Sequence, residues 1–304
     1  MSKPPVDHVA TFVAGSTIAL GEAAIFRAWT KADVVRAPFS FEWLEAGVAA
    51  DVRFPLDPIA LPDARARLHA ALAGAAIDVI VQPAASRRKA LLVADMDSTM
   101  IAQECIDELA EEAGLRGSVA AITERAMRGE IEFEGALIER VALLRGLRIE
   151  AIERVIATRI TPTGGARTLV ATMRAHGAYT ALVSGGFTLF TAPIAARLGF
   201  HETRANTLVI EDGVLTGAVA PPILGREAKR AALEELRAAR GLVREATLAI
   251  GDGANDLDML RAAGLGVAFH AKPQVASAAH ARVDHADLTA LLFAQGFRRA
   301  EFVG

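Results

Sequence analysis

Three short, almost purely apolar runs, each ending abruptly in small and polar residues, constrain this chain most. They lie at residues 90–94, 179–183 and 247–250. Runs of this length read as parallel strands buried on both faces, because a strand wetted on one side would alternate. Helical periodicity lies between them, as at 165–176 and 226–240. Alternating strands and helices predict an α/β fold built on a doubly wound, Rossmann-like parallel sheet. Ligands bind such sheets at the carboxyl ends of the strands. Those ends read Asp95-Met96-Asp97-Ser98-Thr99, Ser184-Gly185-Gly186 and Gly251-Asp252-Gly253-Ala254-Asn255-Asp256.

Taken singly, each segment is an ordinary turn. Their shared position is the informative part, since the fold carries all three to one edge of one sheet. Carboxylates converging there repel one another unless a cation is present. A hard divalent metal relieves the repulsion, and Mg2+ is the expected one for an oxygen-only site beside phosphate.

About 80 residues separate the first strand from the next, far more than a crossover needs. The insert, roughly 103–161, is mostly helical in period and predicts a cap over the strand ends. Ahead of the sheet, residues 8–13, 21–31, 39–44, 47–54, 62–72 and 76–81 read as strand, helix, strand, strand, helix, strand. That order predicts a small α+β ferredoxin-like domain. Residues 83–89, Pro-Ala-Ala-Ser-Arg-Arg-Lys, have the composition of a linker. The expected division is therefore 1–85 and 86–304. A chain beginning near Ser86 is expected to fold and keep its chemistry, because every motif follows it. The first unit resembles an ACT-like domain in element order alone. Amino-acid binding, homodimer contacts, or neither are all compatible with it.

Composition excludes several classes. With 52% hydrophobic and 23% charged residues the chain is globular. A net charge of -3, without a block of lysine and arginine, gives nucleic acid no electrostatic foothold. The longest charge-poor stretch, 175–196, contains Ser184, Gly185, Gly186 and Pro193, and reads as strand, loop and helix, not a membrane span. The first residues are polar, with no signal-peptide pattern, and the single cysteine excludes an intramolecular disulfide. A cytoplasmic protein is expected. Cys105 reads as a small apolar residue on a helix, and the histidines show no ligand spacing.

The motifs together resemble the haloacid dehalogenase superfamily and, in detail, its phosphoserine phosphatases. Asp95 to Thr99 match the first motif, Ser184 the second, Lys229 within Ile223-Leu224-Gly225-Arg226-Glu227-Ala228-Lys229 the third, and Asp252 to Asp256 the fourth. The resemblance implies that Asp95 is a nucleophile forming an aspartyl-phosphate, and that Asp97 is the general acid and then base. It implies Mg2+ held by Asp95, Asp252 and the Met96 main-chain carbonyl, or that of Asp97 if the register is shifted by one. Asp256 would support these ligands from behind. Ser184 and the Gly185 amide would hold phosphate at a helix start, with Lys229 neutralising charge.

One cap stripe adds a substrate expectation. Phe133, Leu137, Arg140, Val141 and Leu144 share a helical face. An arginine on an apolar face either snorkels out or meets an anion. By resemblance, Arg140 binds the substrate carboxylate and Glu104 its ammonium group, Met127 and Phe133 shield the site, and Asn255 positions it. The implied substrate is the small molecule O-phospho-L-serine. Another phosphomonoester, phosphoryl transfer to a second alcohol, and a binding protein without turnover are the alternatives. The Asp95/Asp97 pair argues against the last, since binding alone needs no general acid.

Overall fold

A computed structural model describes residues 6–34, 38–128 and 130–304; the side chain of Met127 also lies outside the described residues. The chain begins with β1 (Val6–Ala14), α1 (Glu22–Ala32), β2 (Ser40–Glu45), β3 (Ala49–Leu56), α2 (Leu61–Ala71) and β4 (Ile77–Pro83). These strands form an antiparallel sheet in the order β2-β3-β1-β4, the ferredoxin-like arrangement. Pro62 stands in the first turn of α2, where its missing N–H costs nothing. Phe12, Val79 and Val81 pack under α1 and α2, whereas Val13 and Ile80 face the rest of the protein. The period-two alternation of side chains thus buries both faces of this sheet.

The second sheet starts with β5 (Leu91–Ala94). Four helices follow: α3 (Cys105–Glu112), α4 (Arg116–Met127), α5 (Phe133–Leu143) and α6 (Ile149–Thr158). The chain returns through α7 (Ala166–Ala175), β6 (Tyr179–Phe187), α8 (Thr188–Leu198), β7 (Glu202–Glu211) and β8 (Val214–Ala220). It continues through α9 (Arg226–Ala239), β9 (Thr247–Gly251), α10 (Leu257–Ala262) and β10 (Leu265–Phe269). It ends with α11 (Pro273–Ala278), β11 (Ala281–Val283) and α12 (Ala290–Ala294). The sheet order is β11-β10-β9-β5-β6-β7-β8. All neighbours are parallel except the β7–β8 hairpin at one edge. β5 is central, flanked by β6 and β9, so the three motif-bearing strands are adjacent. Every residue of β5 and β9 is buried, as their unbroken apolar runs require. No described helix is long and apolar enough to cross a membrane.

One expectation is corrected. Ser184 and Gly185 do not stand at a helix start: α8 begins at Thr188, and β6 runs on through them. Pairing of β6 with β7 is interrupted between Val183 and Phe187. The Ser184 hydroxyl accepts the Gly186 amide at 2.8 Å, and this local bond replaces the ladder there.

Candidate active site

After Ala94 the chain turns tightly through residues 96–100. Ile101 donates its amide to the Met96 carbonyl at 3.0 Å. Ser98 has φ 54°, a left-handed conformation that costs a non-glycine residue about 1–3 kcal/mol. Local bonds offset it: the Ser98 amide donates to Gln103 O at 3.2 Å and its hydroxyl to Glu104 Oε1 at 2.6 Å. The turn places Asp95, Asp97, Ser98 and Glu104 in the wall of one cavity of about 840 Å³.

α9 inserts Lys229 beneath the turn. Its Nζ is 2.6 Å from Asp95 Oδ1 and 2.6 Å from Asp256 Oδ1. The other oxygen of Asp256 accepts the Gly253 amide at 3.0 Å, and Asp252 Oδ1 accepts the Thr99 hydroxyl at 3.1 Å. Asp97 accepts the Cys105 amide at 2.8 Å through one oxygen and the Ser184 hydroxyl at 3.1 Å through the other. Cys105 meets this site through its backbone amide and its thiol, and burial and then Asp97 push that thiol well above the usual range.

The protein alone leaves this cluster short of positive charge. Burial, then Asp256, raises the Asp95 carboxyl well above the usual range, against the pull of Lys229. Burial raises Asp97, against the bonds from Cys105 and Ser184. Burial and then Asp256 lift Asp252 to about 6; burial and then Asp97 lift Glu104 to about 7. Burial would lower Lys229, but Asp256 and Asp95 outweigh it and hold the ammonium above its ordinary value. Carboxylate oxygens of Asp95, Asp252 and Asp256 lie within 4.8 Å of one another. An all-oxygen donor set this dense fits a hard divalent cation.

The strand ends, the inserted cap and the paired carboxylates match one known sequence pattern. The profile of the haloacid dehalogenase-like hydrolases fits residues 92–261. The chain belongs to this family. Among its members, the Streptomyces coelicolor phosphoserine phosphatase is 45% identical over 253 residues, 82% of this chain and 61% of that protein. The chain thus spans less than two thirds of that relative. The Methanocaldococcus jannaschii phosphoserine phosphatase is 42% identical over 206 residues, 68% of this chain and 97% of that one. A structure described as a phospho-aspartyl intermediate analogue of phosphoserine phosphatase superposes with a TM-score of 0.63. It is 42% identical, covering 68% of this chain and 98% of its own.

The structure gathers nearly all the residues expected for such a hydrolase. Asp95, Asp97, Glu104, Phe133, Arg140, Ser184, Gly185, Asp252 and Asn255 line the cavity. Lys229 and Asp256 lie buried behind them. The Phe133 ring covers Gly185 so closely that a Cβ there would come within 3.1 Å of it. The Met127 side chain is outside the described residues. Several contributors carried no expectation. Thr99 and Ser98 sit inside the first motif yet serve by holding Asp252 and Glu104. Asn206, fully buried, donates to Gly185 O at 2.9 Å and Leu224 O at 3.2 Å and accepts the Leu224 amide at 2.7 Å. His270, Lys272, Gln274 and Val275 add another wall. A signal for that wall existed: residues 265–269 are one more apolar run ending abruptly, here in His-Ala-Lys-Pro.

Proposed function

We propose that this hydrolase is a Mg2+-dependent phosphatase that converts O-phospho-L-serine to L-serine and phosphate, the closing step of serine synthesis. One observation carries the reading: a lysine-paired carboxylate, Asp95, shares a single cavity with a second carboxylate, Asp97, and with the Glu104/Arg140 pair. The first two suit phosphoryl transfer, and the second two suit the ammonium and carboxylate of an amino acid. The likeness to curated phosphoserine phosphatases supports it.

In this reading the Asp95 carboxylate attacks phosphorus and the bond from phosphorus to the serine oxygen breaks. Asp97 gives its proton to that oxygen; its raised carboxyl suits a group that must be protonated at the start. Water then attacks phosphorus, Asp97 takes the water's proton, the bond from phosphorus to the Asp95 oxygen breaks, and phosphate leaves the regenerated Asp95 carboxylate. Ser184, the Gly185 amide and Lys229 hold the phosphoryl oxygens. Arg140 receives the carboxylate as a planar fork, Glu104 the ammonium, and Phe133 and Met127 exclude water. Asp95, Asp252 and one main-chain carbonyl would hold Mg2+, with Asp256 and Asn255 supporting them. The Met96 carbonyl already accepts the Ile101 amide, which favours that of Asp97. When bound, Mg2+ supplies positive charge to the transferring phosphoryl group.

Phosphate release from phosphoserine tests the reading. Turnover with Mg2+, silence in EDTA, and no turnover by a folded Asp95→Asn variant are expected. Activity retained in Asp95→Asn would end the nucleophile assignment. Transfer to an added alcohol in place of free phosphate would make the protein a phosphotransferase.

A further inference from the structure

The cavity wall formed by His270, Lys272, Gln274 and Val275 comes from the loop between β10 and α11 and from the first turn of α11. Lys272 is exposed and lines a cavity otherwise rich in carboxylates. His270 has φ 46°, a conformation that persists in a non-glycine residue only when the surroundings impose it. Two bonds do so. Its amide donates to Val283 O at 2.8 Å, and its Nε2 lies 3.0 Å from Ala286 O, as donor in that tautomer.

Both acceptors lie in the segment 283–286, which begins at the last residue of β11. From its other side this segment is held by Asp78 of β4, in the N-terminal sheet. The Asp78 carboxylate accepts three consecutive amides, of Asp284 at 2.8 Å, His285 at 3.1 Å and Ala286 at 2.8 Å. Asp78 and Ala286 are buried, 3% and 4% exposed, so water does not compete for these charge-assisted bonds. A continuous set of contacts therefore runs from the N-terminal sheet through Asp78, the 284–286 backbone and His270 to the loop that carries Lys272.

We propose that Asp78 and His270 are positioning residues for the substrate cavity. Through them the N-terminal sheet fixes the 270–272 loop and the start of α11, and sets the Lys272 ammonium toward an anionic group of the substrate. The inference rests on the phosphomonoester reading, because a cation in this wall serves an anionic ligand.

A double-mutant cycle in the 304-residue chain tests it, with two readouts: hydrogen exchange of the 266–276 segment and the KM for phosphoserine. Asp78→Asn and His270→Ala should each speed exchange there and raise KM about three- to tenfold, with kcat within twofold. Because the two act in series, the double variant should be no worse than the stronger single one. Lys272→Ala should reproduce the rise in KM. His270→Gln, whose amide can reach Ala286 O, should restore it. Gln82→Ala, which loses only a bond to Ala294 O in the same interface, should leave both readouts unchanged. Effects of Asp78→Asn and His270→Ala that multiply, exchange untouched by Asp78→Asn, or an equal effect of Gln82→Ala would each overturn the proposal. Should Asp78→Asn not fold, the loss in His270→Ala and its rescue by His270→Gln decide the matter. Absence of turnover in the unsubstituted protein would count against the proposed function, and the exchange comparison would still decide this inference.

Discussion

Arg140 sits where burial and charge oppose each other. Burial lowers its pKa, while Asp107 and Glu104 act in the other direction. Its Nε donates to Ala136 O at 3.1 Å, which leaves the terminal nitrogens of the fork for another acceptor. A guanidinium in the cavity wall, not in bulk water, favours the anion-binding alternative over snorkelling. Truncation to Ala removes a charge-assisted contact of roughly 1.5–3 kcal/mol. The expected outcome for Arg140→Ala is a loss of about one to two powers of ten in kcat/KM on phosphoserine. The loss on p-nitrophenyl phosphate, which lacks the carboxylate, should be far smaller. Equal losses on both substrates would make Arg140 structural.

Between elements, the decisive piece is Asn206 on β7. Its amide group ties the Gly185 carbonyl at the end of β6 to the Leu224 turn that launches α9 and Lys229. Phe133 of α5 lies against Gly185 and reaches Gly225, so one cap side chain seats on both tied loops. Asn206→Ala strands two half-buried carbonyls and a half-buried amide, at about 1–3 kcal/mol. A fall in melting temperature should accompany a fall in kcat, because the Gly185 amide and Lys229 lose their mutual spacing. An unchanged kcat in a destabilised variant would limit Asn206 to a structural role. Nothing in the sequence advertised this tie: a lone asparagine in a strand has no periodic signature, and its partners come from segments 18 and 21 residues away.

At the scale of the molecule, the two sheets share one core. Val13, Leu44, Ala49 and Ile80 cluster with Leu291, Leu292 and Phe293 of α12. Arg87 pairs with Asp51 at 2.7 Å, both buried, and also donates to Phe293 O and Ala294 O. Removal of residues 1–85 would uncover α12, whose large side chains are each worth about 1.5–3 kcal/mol in burial. The 86–304 fragment keeps every residue of the cavity, so it should retain turnover. It should also melt well below the full chain and bind a hydrophobic dye; equal melting temperatures would contradict a shared core. Acid should act against the fold at one histidine, opposite in sign to the raised carboxyls of the cavity. Burial, with Arg65, Arg244 and Lys89, lowers His280 to about 4, and its Nδ1 accepts the Gly266 amide at 3.0 Å. The neutral ring therefore contributes stability present above its unfolded value near 6.5 and lost as pH falls from there toward 4. After allowance for solvent screening, a loss of about 1 kcal/mol lowers Tm by roughly 2 °C in a chain of this size. His280→Asn, whose carbonyl can accept the same amide, should gain in Tm relative to the unsubstituted protein as pH falls from 6.5 to 4; a difference independent of pH would contradict this.

The sequence by itself determined the strands that meet at the site, because burial on both faces leaves an unbroken apolar run and strand ends are where such sheets bind ligands. It also determined the acidic residues there, since they stand within a few positions of those ends. The antiparallel β7–β8 edge, the strand β11 and the helix α12 carried no expectation. The last two are short, and for all of them the neighbours, not the period, decide the conformation. Only the tertiary structure decided that the N-terminal sheet is buried on both faces, that Asn206 joins two loops, and that Asp78 reaches the turn beneath His270. The last two depend on a side chain meeting the backbone of a segment distant along the chain. Such contacts leave no local pattern, because the partner supplies only an amide or a carbonyl, and every residue type offers a carbonyl.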